Sequence, residues 1–445
     1  MDSTSLIPSA SKEELVKEYV GKSLLDVPCP AVVLDISKLR KNCTDMLETT
    51  TELTRLQIGD GPGPGPANIV VSTVVEAENI FPLLLKYKSE GRAVNILYSF
   101  PLTSGVVDRL SKVSTALGPN GISLMIDHPS QLRSVAAIHE KTNIPPLVFI
   151  KIDMGGHRAG VIPGTETCSQ LISSVITLAK RNVCILHGLY SHAGHSYSSN
   201  SQTAALDYLR QEFEALLITS EEVHSVAATK LPLVLSVGAT PTSSAIRNLH
   251  LSSTSSEGLN EISALKATMG AIRDVGCEIE IHAGVYPMLD MQQLATHALP
   301  EDLLSWSSVA ITILAEIASL YPPRGTSDSP EALITAGSLA LGREPCKAYP
   351  GWGILSPWNR TSFALPNTGP EGYSGWQISR ISQEHGILTN PGKNDSELSI
   401  GQKVRVWPNH ACIAGAGYGW YLIVDESRTG KEDEIIDVWV RWRGW

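Results

Sequence analysis

Seven times between Ile69 and Ala283 a short, largely apolar run is followed by a stretch long enough for a helix, and few architectures accept that rhythm. The runs are Ile69–Thr73, Asn95–Phe100, Ser123–Asp127, Leu147–Asp153, Ile185–Ser191, Leu233–Val237 and Glu278–Ala283. A strand apolar along its length is buried on both faces, and alternation with helices makes neighbouring strands parallel. The expected class is therefore α/β, a (β/α)8-type barrel. Such a barrel closes with eight strands, and the sequence yields seven, so one strand is missing.

The flanks read differently. Ser11-Lys-Glu-Glu14 is a capping box, and Leu15, Val16, Tyr19 and Val20 share one helical face ending at Gly21. A short strand, Ala31–Asp35, leads into a helix from Ser37 to about Leu47. Gly59–Pro66, GDGPGPGP, fits neither helix nor strand. From about Ala332 the strands shorten and Gly, Pro and Asn separate them: Ala332–Ile334, Ser338–Leu341, Trp376–Ser382, Lys403–Trp407, Tyr421–Val424 and Ile436–Trp442. That pattern predicts an antiparallel β domain. The expected division is an N-terminal segment 1–35, a barrel 36–325 and a C-terminal β domain 326–445.

Composition narrows the function classes. The net charge of -10 is spread along 445 residues, with no basic block beyond Arg441 and Arg443, so nucleic acid is not an expected partner. No apolar stretch approaches the roughly 20 residues of a membrane span, and Met1–Leu25 lacks a signal core. Seven cysteines, odd in number and never in a Cys-x-x-Cys pair, suit reduced thiols in the cytoplasm.

Chemistry concentrates where the predicted strands open into loops, as α/β folds arrange it. Tyr190–Ser198, YSHAGHSYS, holds two histidines, two tyrosines and a glycine. SVGATPTS (Ser236–Ser243) and EIHAGVY (Glu280–Tyr286) place glycine and small residues after the last two strands. Backbone N–H groups there, with the hydroxyls of Thr240 and Thr242, suit a phosphate. One such turn alone is an ordinary βα connection; two on the last strands of a barrel form a recurrent phosphate position. In KIDMGGHRAG (Lys151–Gly160), Arg158 either orients an anionic ligand or pairs internally with Asp153, and the residues do not choose. His410 and Cys412 follow a strand, where i and i+2 side chains share a face and could share a metal. As a lone pair they read more readily as a buried histidine and an apolar cysteine, since zinc wants three or four ligands and only two are adjacent. A phosphate cradle on a barrel suggests pyridoxal phosphate, whose enzymes need a Schiff-base lysine. Lys38, Lys41, Lys86 and Lys88 sit on no strand end; Lys151 sits on a strand whose motif suggests another role.

The ordered series IVVST, KIDMGGHRAG, LYSHAGHSYSS, LSVGATPTS, EIHAGVYPMLDMQQL, ISQEHGIL and PNHAC resembles the eukaryotic D-serine dehydratase family from about Leu25 onward. These are pyridoxal phosphate enzymes related to alanine racemase and D-threonine aldolase. The resemblance implies a barrel, a C-terminal β domain packed with the N-terminal segment, and a homodimer. It implies pyridoxal 5'-phosphate held by Arg158, Tyr190, Tyr197, Thr240, Gly284 and Val285. It also implies zinc on His410 and Cys412, acting as a Lewis acid on the leaving hydroxyl of a small D-amino acid. The reaction is β-elimination of D-serine to pyruvate and ammonia.

One departure is large. The family's first barrel strand carries the Schiff-base lysine shortly before an R-L-Q sequence. Here Arg55-Leu56-Gln57 is preceded by Leu47-Glu-Thr-Thr-Thr-Glu-Leu-Thr54, without that strand, and the join falls near Glu48–Thr51. No residue matches the catalytic lysine, in agreement with the count of seven strands. The expectation is a variant chain that is inactive as written. Two alternatives stand beside it: a D-threonine aldolase-like lyase, and a non-catalytic cofactor-binding protein.

Overall fold

A computed structural model describes residues 11–45, 65–250, 256–324, 328–363, 365, 369–393, 395–442 and 444. It divides into two compact units, one of Met1–Met46 and Val285–Arg443, the other of Leu47–Gly284 and Gly444–Trp445. The N-terminal strand β1 (Ala31–Asp35) belongs to the first unit. The expected join near Glu48–Thr51 and the Arg55–Gln57 sequence lie outside the described residues.

The second unit contains seven parallel strands: β2 (Ala67–Val71), β3 (Val94–Tyr98), β4 (Ile122–Ile126), β5 (Leu147–Lys151), β6 (Ile185–Tyr190), β7 (Val234–Val237) and β8 (Glu278–Ile281). Their order in the sheet is their order in the chain. Each coincides with a predicted run to within two or three residues at either end. Helices between them, such as Val74–Ser89 and Gln202–Ala227, carry the chain back for the next parallel strand. The inward side chains of Leu97, Met125, Phe149, Tyr190 and Val234 pack into one buried cluster. No pairing joins β2 to β8 among the described residues, so the sheet is a half-barrel with two open edges. Across the seam one polar contact is formed, Asn68 Nδ2 to Glu280 Oε2 at 3.5 Å.

The first unit is an antiparallel barrel with an extension. Its further strands are β9 (Ile311–Tyr321), β10 (Glu331–Ile334), β11 (Gly353–Leu355), β12 (Gln377–Ile381), β13 (Gly386–Thr389), β14 (Lys403–Pro408), β15 (Trp420–Val424) and β16 (Asp437–Val440). The series β10-β13-β12-β11-β14-β9 closes because β9 also pairs with β10. From β9 the sheet continues through β1 and β15 to β16. β1 lies antiparallel to β9 and parallel to β15, so the N-terminal segment is built into this sheet. Leu15, Leu24, Val33, Leu314, Leu422 and Val438 share its core. The helix Lys12–Tyr19 starts at the predicted cap, Ser11 Oγ accepting from the Glu14 N–H.

Two readings of this unit change. Ser338–Leu341 is a helical turn, not a strand. Gly337 caps it and Gly342 ends it at φ +75°, while the Ser338 and Leu339 N–H groups donate to the carbonyls of Ser382 and Gln383. The longest strand, β9, is one the sequence reading omits.

Candidate active site

A cavity of about 760 Å³ opens at the C-terminal ends of the half-barrel strands. Val70 and Ser72 come from the end of β2, Ser99–Pro101 from that of β3, and Asp127 and Gln131 follow β4. Lys151 ends β5, Tyr190 ends β6, and His282, Ala283 and Gly284 follow β8. Arg158 and His192 complete the polar lining. The volume is in the range of small-molecule and cofactor sites. A second cavity, about 540 Å³, lies at the strand beginnings, lined by Pro66, Asn68, Ala93, Asn95, Asn120 and Leu147. The chemistry-bearing residues favour the former, because strand C-termini are where loops converge on one point.

Three stacked rings form one wall. Tyr190 lies on His282 with ring centres 4.0 Å apart and planes 8° from parallel, and His192 stacks beyond at 6.1 Å. Both imidazoles are held neutral. Burial, then the positive charges of Arg158 and Lys151, push His192 down to about 3. Burial, with His192 and Lys151 beside it, pushes His282 well below the usual range. The tautomer of His282 follows from its neighbours: Ser236 Oγ donates its single proton to Glu280 Oε1 at 2.7 Å. His282 Nδ1 must then donate to Ser236 Oγ at 3.0 Å, leaving Nε2 as a bare acceptor. That Nε2 is buried without a partner.

It is not alone. Lys151 Nζ, Ser191 Oγ, His195 Nδ1 and Ser196 Oγ are likewise buried with no hydrogen-bond partner. Buried polar groups are nearly always paired. Of these five, Lys151 Nζ and His282 Nε2 belong to residues that line the cavity, and His195 lines a smaller adjoining one with Lys151 and Arg158. Lys151 is 6 % exposed, and burial together with Arg158 lowers its amine to about 7. Its Nζ stands 4.6 Å above the Tyr190 ring. Asp153 does not pair with Arg158: its carboxylate accepts from the Gly155 and His157 N–H groups and meets His157 Nδ1 at 3.1 Å. Arg158 lines the cavity instead.

The turn after β7 is more occupied than its sequence suggests. Glu212, fully buried on the long helix, accepts from the Ala193 N–H at 2.8 Å, the Gly238 N–H at 3.3 Å and the Thr242 hydroxyl at 2.8 Å. Burial raises its pKa against the pull of those donors. The Thr242 hydroxyl is therefore committed within the protein. Gly238 has φ +148°, and a Cβ there would stand 1.9 Å from the His282 carbonyl oxygen, so only glycine fits. Nothing in the sequence marks Glu212 among its acidic neighbours.

Of the predicted cofactor residues, Arg158, Tyr190 and Gly284 meet at the cavity with Lys151. Thr240 is buried at the start of helix Thr240–Ala245, and Tyr197 is half-buried in the turn Gly194–Ser198; neither lines it. Val285 falls in the other unit. There the geometry of the His-x-Cys pair differs from expectation. β14 ends at Pro408, His410 caps helix Ala411–Ala416, and Cys412 lies in its first turn. The extended-strand argument for a shared face does not apply. His410 Nδ1 meets Gln292 Oε1 at 2.6 Å, and the buried Asp290 accepts from the Ala411 N–H at 2.8 Å. Among the described residues no three His, Cys, Asp or Glu side chains are gathered as for a metal ion. No described helix is long and apolar enough to cross a membrane.

Comparison with known proteins follows the same division. The profile of the alanine racemase N-terminal domain matches residues 68–253, and that of a serine dehydratase domain matches residues 310–424. The D-serine dehydratase of Schizosaccharomyces pombe is 33 % identical, over 98 % of this chain and 97 % of its own. That of Saccharomyces cerevisiae is 30 % identical, over 97 % and 100 %. Among solved structures, a histidine variant of D-threo-3-hydroxyaspartate dehydratase superposes with a TM-score of 0.71, 21 % identity and coverage of 97 % and 99 %. That enzyme has also been solved as a cysteine variant in a metal-free form, the substituted cysteine lying two residues after the histidine. With full-length relatives at this identity, the chain belongs to the D-serine dehydratase family.

Proposed function

We propose that the half-barrel cavity binds pyridoxal 5'-phosphate together with a small D-amino acid. The chain is then a lyase of D-serine dehydratase type, releasing pyruvate and ammonia from D-serine. The observation that carries this reading is a cavity of suitable size lined by Lys151 and His282, whose buried Nζ and Nε2 have no partner, in a chain of this family. When bound, the cofactor supplies the electron sink for loss of the α-proton. Arg158 presents a fixed positive charge to an anionic oxygen, and Tyr190, stacked on His282, forms part of the aromatic wall beside the ligand. Gly284 lines the same cavity, while Tyr197, Thr240 and Val285 are assigned to the cofactor on the family resemblance.

Zinc on His410 and Cys412 belongs to the same proposal. The spacing is that of the histidine and cysteine substituted in the solved hydroxyaspartate dehydratase, whose cysteine variant is metal-free. Gln292 facing His410 Nδ1 is the kind of hydrogen bond that fixes the tautomer of a ligand histidine. A homodimer working in the cytoplasm completes the reading. Burial raises the thiols of Cys43 and Cys184 to about 12, which keeps them as unreactive thiols.

The family's lysine segment has no counterpart, so elimination is slowed or lost although the ligand site remains. The test is pyruvate release from D-serine by the purified full chain with pyridoxal phosphate and zinc supplied, beside the Schizosaccharomyces pombe enzyme. Cofactor retained through dialysis with little pyruvate is expected. A folded protein that retains no cofactor would refute the site; turnover equal to the relative's would refute the loss of activity. Glycine released from D-threonine instead would favour the aldolase alternative.

A further inference from the structure

We propose that Lys151 is the amine with which this chain captures an aldehyde, the carbonyl group of pyridoxal phosphate, as an imine. The inference rests on the cofactor reading above and adds a residue that the family resemblance does not assign to this task.

The topology places this amine on the inner wall of the half-barrel. β5 is the middle strand of seven, three strands from either edge. Its last residue, Lys151, lines a cavity that is also lined by Val70 of β2 and by His282–Gly284 after β8. An amine on this wall therefore faces the open seam across a barrel only wide enough for side chains to fill. Among the described residues Lys151 contributes the only primary amine in the cavity lining.

Its surroundings are not those of a structural lysine. Buried lysines are normally paired. Lys151 Nζ has no hydrogen-bond partner and no ion pair within 4.0 Å, and the carboxylates nearest in influence are committed elsewhere. Asp127 accepts from the Gly160 N–H and from Gln131, Asp153 from Gly155 and His157, and Glu212 from Ala193, Gly238 and Thr242. The facing groups from other elements are Tyr190, Arg158 and the neutral His192 and His282. Burial and the Arg158 charge keep the amine near 7, so a large share is unprotonated at neutral pH. An ordinary lysine near 10.4 holds less than about 0.1 % in that form. A desolvated amine beside a second cation is a recognised way to make a lysine nucleophilic.

The step balances without a co-reactant. The amine lone pair forms a bond to the aldehyde carbon. The carbonyl oxygen leaves as water with both amine hydrogens, and a C=N bond remains. No group is oxidised or reduced.

The full-length protein is incubated with pyridoxal phosphate below equimolar amounts, reduced with borohydride, digested and mapped by mass spectrometry. Hydride addition to C=N makes the link permanent, so the readout is independent of turnover. Label on Lys151, at least about tenfold above any other lysine and growing as pH rises through 7, is expected from the neutral-amine fractions. Lys151→Met should lose the imine absorbance while keeping its circular dichroism. Cofactor retained through gel filtration without label on Lys151, or label centred on another lysine, would overturn the proposal and leave the cavity reading intact. No retention at all by folded protein would overturn both. Should the variant fail to fold, the position of the label in the unmodified chain still decides.

Discussion

Strand β9 pairs with β14, β1 and β10, whereas β8 pairs, among the described residues, with β7 alone. The two strands also differ in sequence, ITILAEIASLY against the alternating EIEI, and their burial diverges: the first five residues of β9 are buried, and no residue of β8 is. Burial in a sheet follows both a strand's own sequence and the number of neighbours its backbone and faces have. The antiparallel unit meets that condition by closing β9 onto β10. The parallel unit has strands on one side only of β2 and β8, and its interior carries the orphaned polar groups as well. Both units bury polar atoms without a partner, but in the parallel unit two of them, Lys151 Nζ and His282 Nε2, line one cavity where a ligand can meet them.

The largest expected effect sharpens that contrast through pH. Lys151 is held near 7 in the folded half-barrel against 10.5 ordinarily, so the unfolded chain binds the extra proton between those values. Stability therefore rises with pH across that window, is fully present above the unfolded value and is lost as pH falls through 7. The change is about 4 kcal/mol. Urea unfolding at a series of pH values should show this slope in the native chain and its absence in Lys151→Met. An unchanged slope in the variant would place the titration elsewhere.

Core truncation tests the comparison directly. Leu314→Ala on β9 removes a fully buried side chain from the closed unit's core and should cost about 3 kcal/mol. Ile279→Ala on the half-buried β8 should cost about 1 kcal/mol or less, because its seam side already lacks packing. Denaturant midpoints of the two variants decide it. Equal losses would mean that β8 is covered in solution and that the seam is closed.

The same neighbour count explains what the sequence could disclose. β3 to β7 are legible because a central parallel strand is largely apolar on both faces and stands out from its helices. β9 escapes a single-period reading because its first half is buried on both faces and its second half on one, so it carries two patterns in eleven residues. Ser338–Leu341 has four residues between two glycines, too few for any period, and the Gly342 conformation decides it. In the site, Arg158, Tyr190 and Gly284 lie on strand-end motifs and could be found. Glu212 could not, since one acid on the face of a twenty-six-residue helix becomes special only when Ala193, Gly238 and Thr242 reach it. Lys151 was visible as a strand end, but its isolation from carboxylates depends on three loops committing their acids elsewhere.

The smallest effect concerns the seam itself. Asn68 and Glu280 are joined by a contact at 3.5 Å between exposed side chains, at the long limit of a hydrogen bond. Glu280 already accepts from Ser236 at 2.7 Å, so losing Asn68 leaves no unpaired buried group. Asn68→Ala should therefore change stability by about 0.5 kcal/mol or less. Amide hydrogen exchange should be equally fast in β2 and β8 before and after the substitution, because both edges carry unpaired backbone groups already. A loss well above 1 kcal/mol, with exchange in β2 accelerated, would mean that this one polar contact latches the half-barrel. The open edges would then be held at a fixed separation, and the cavity between them would be shaped before any ligand arrives.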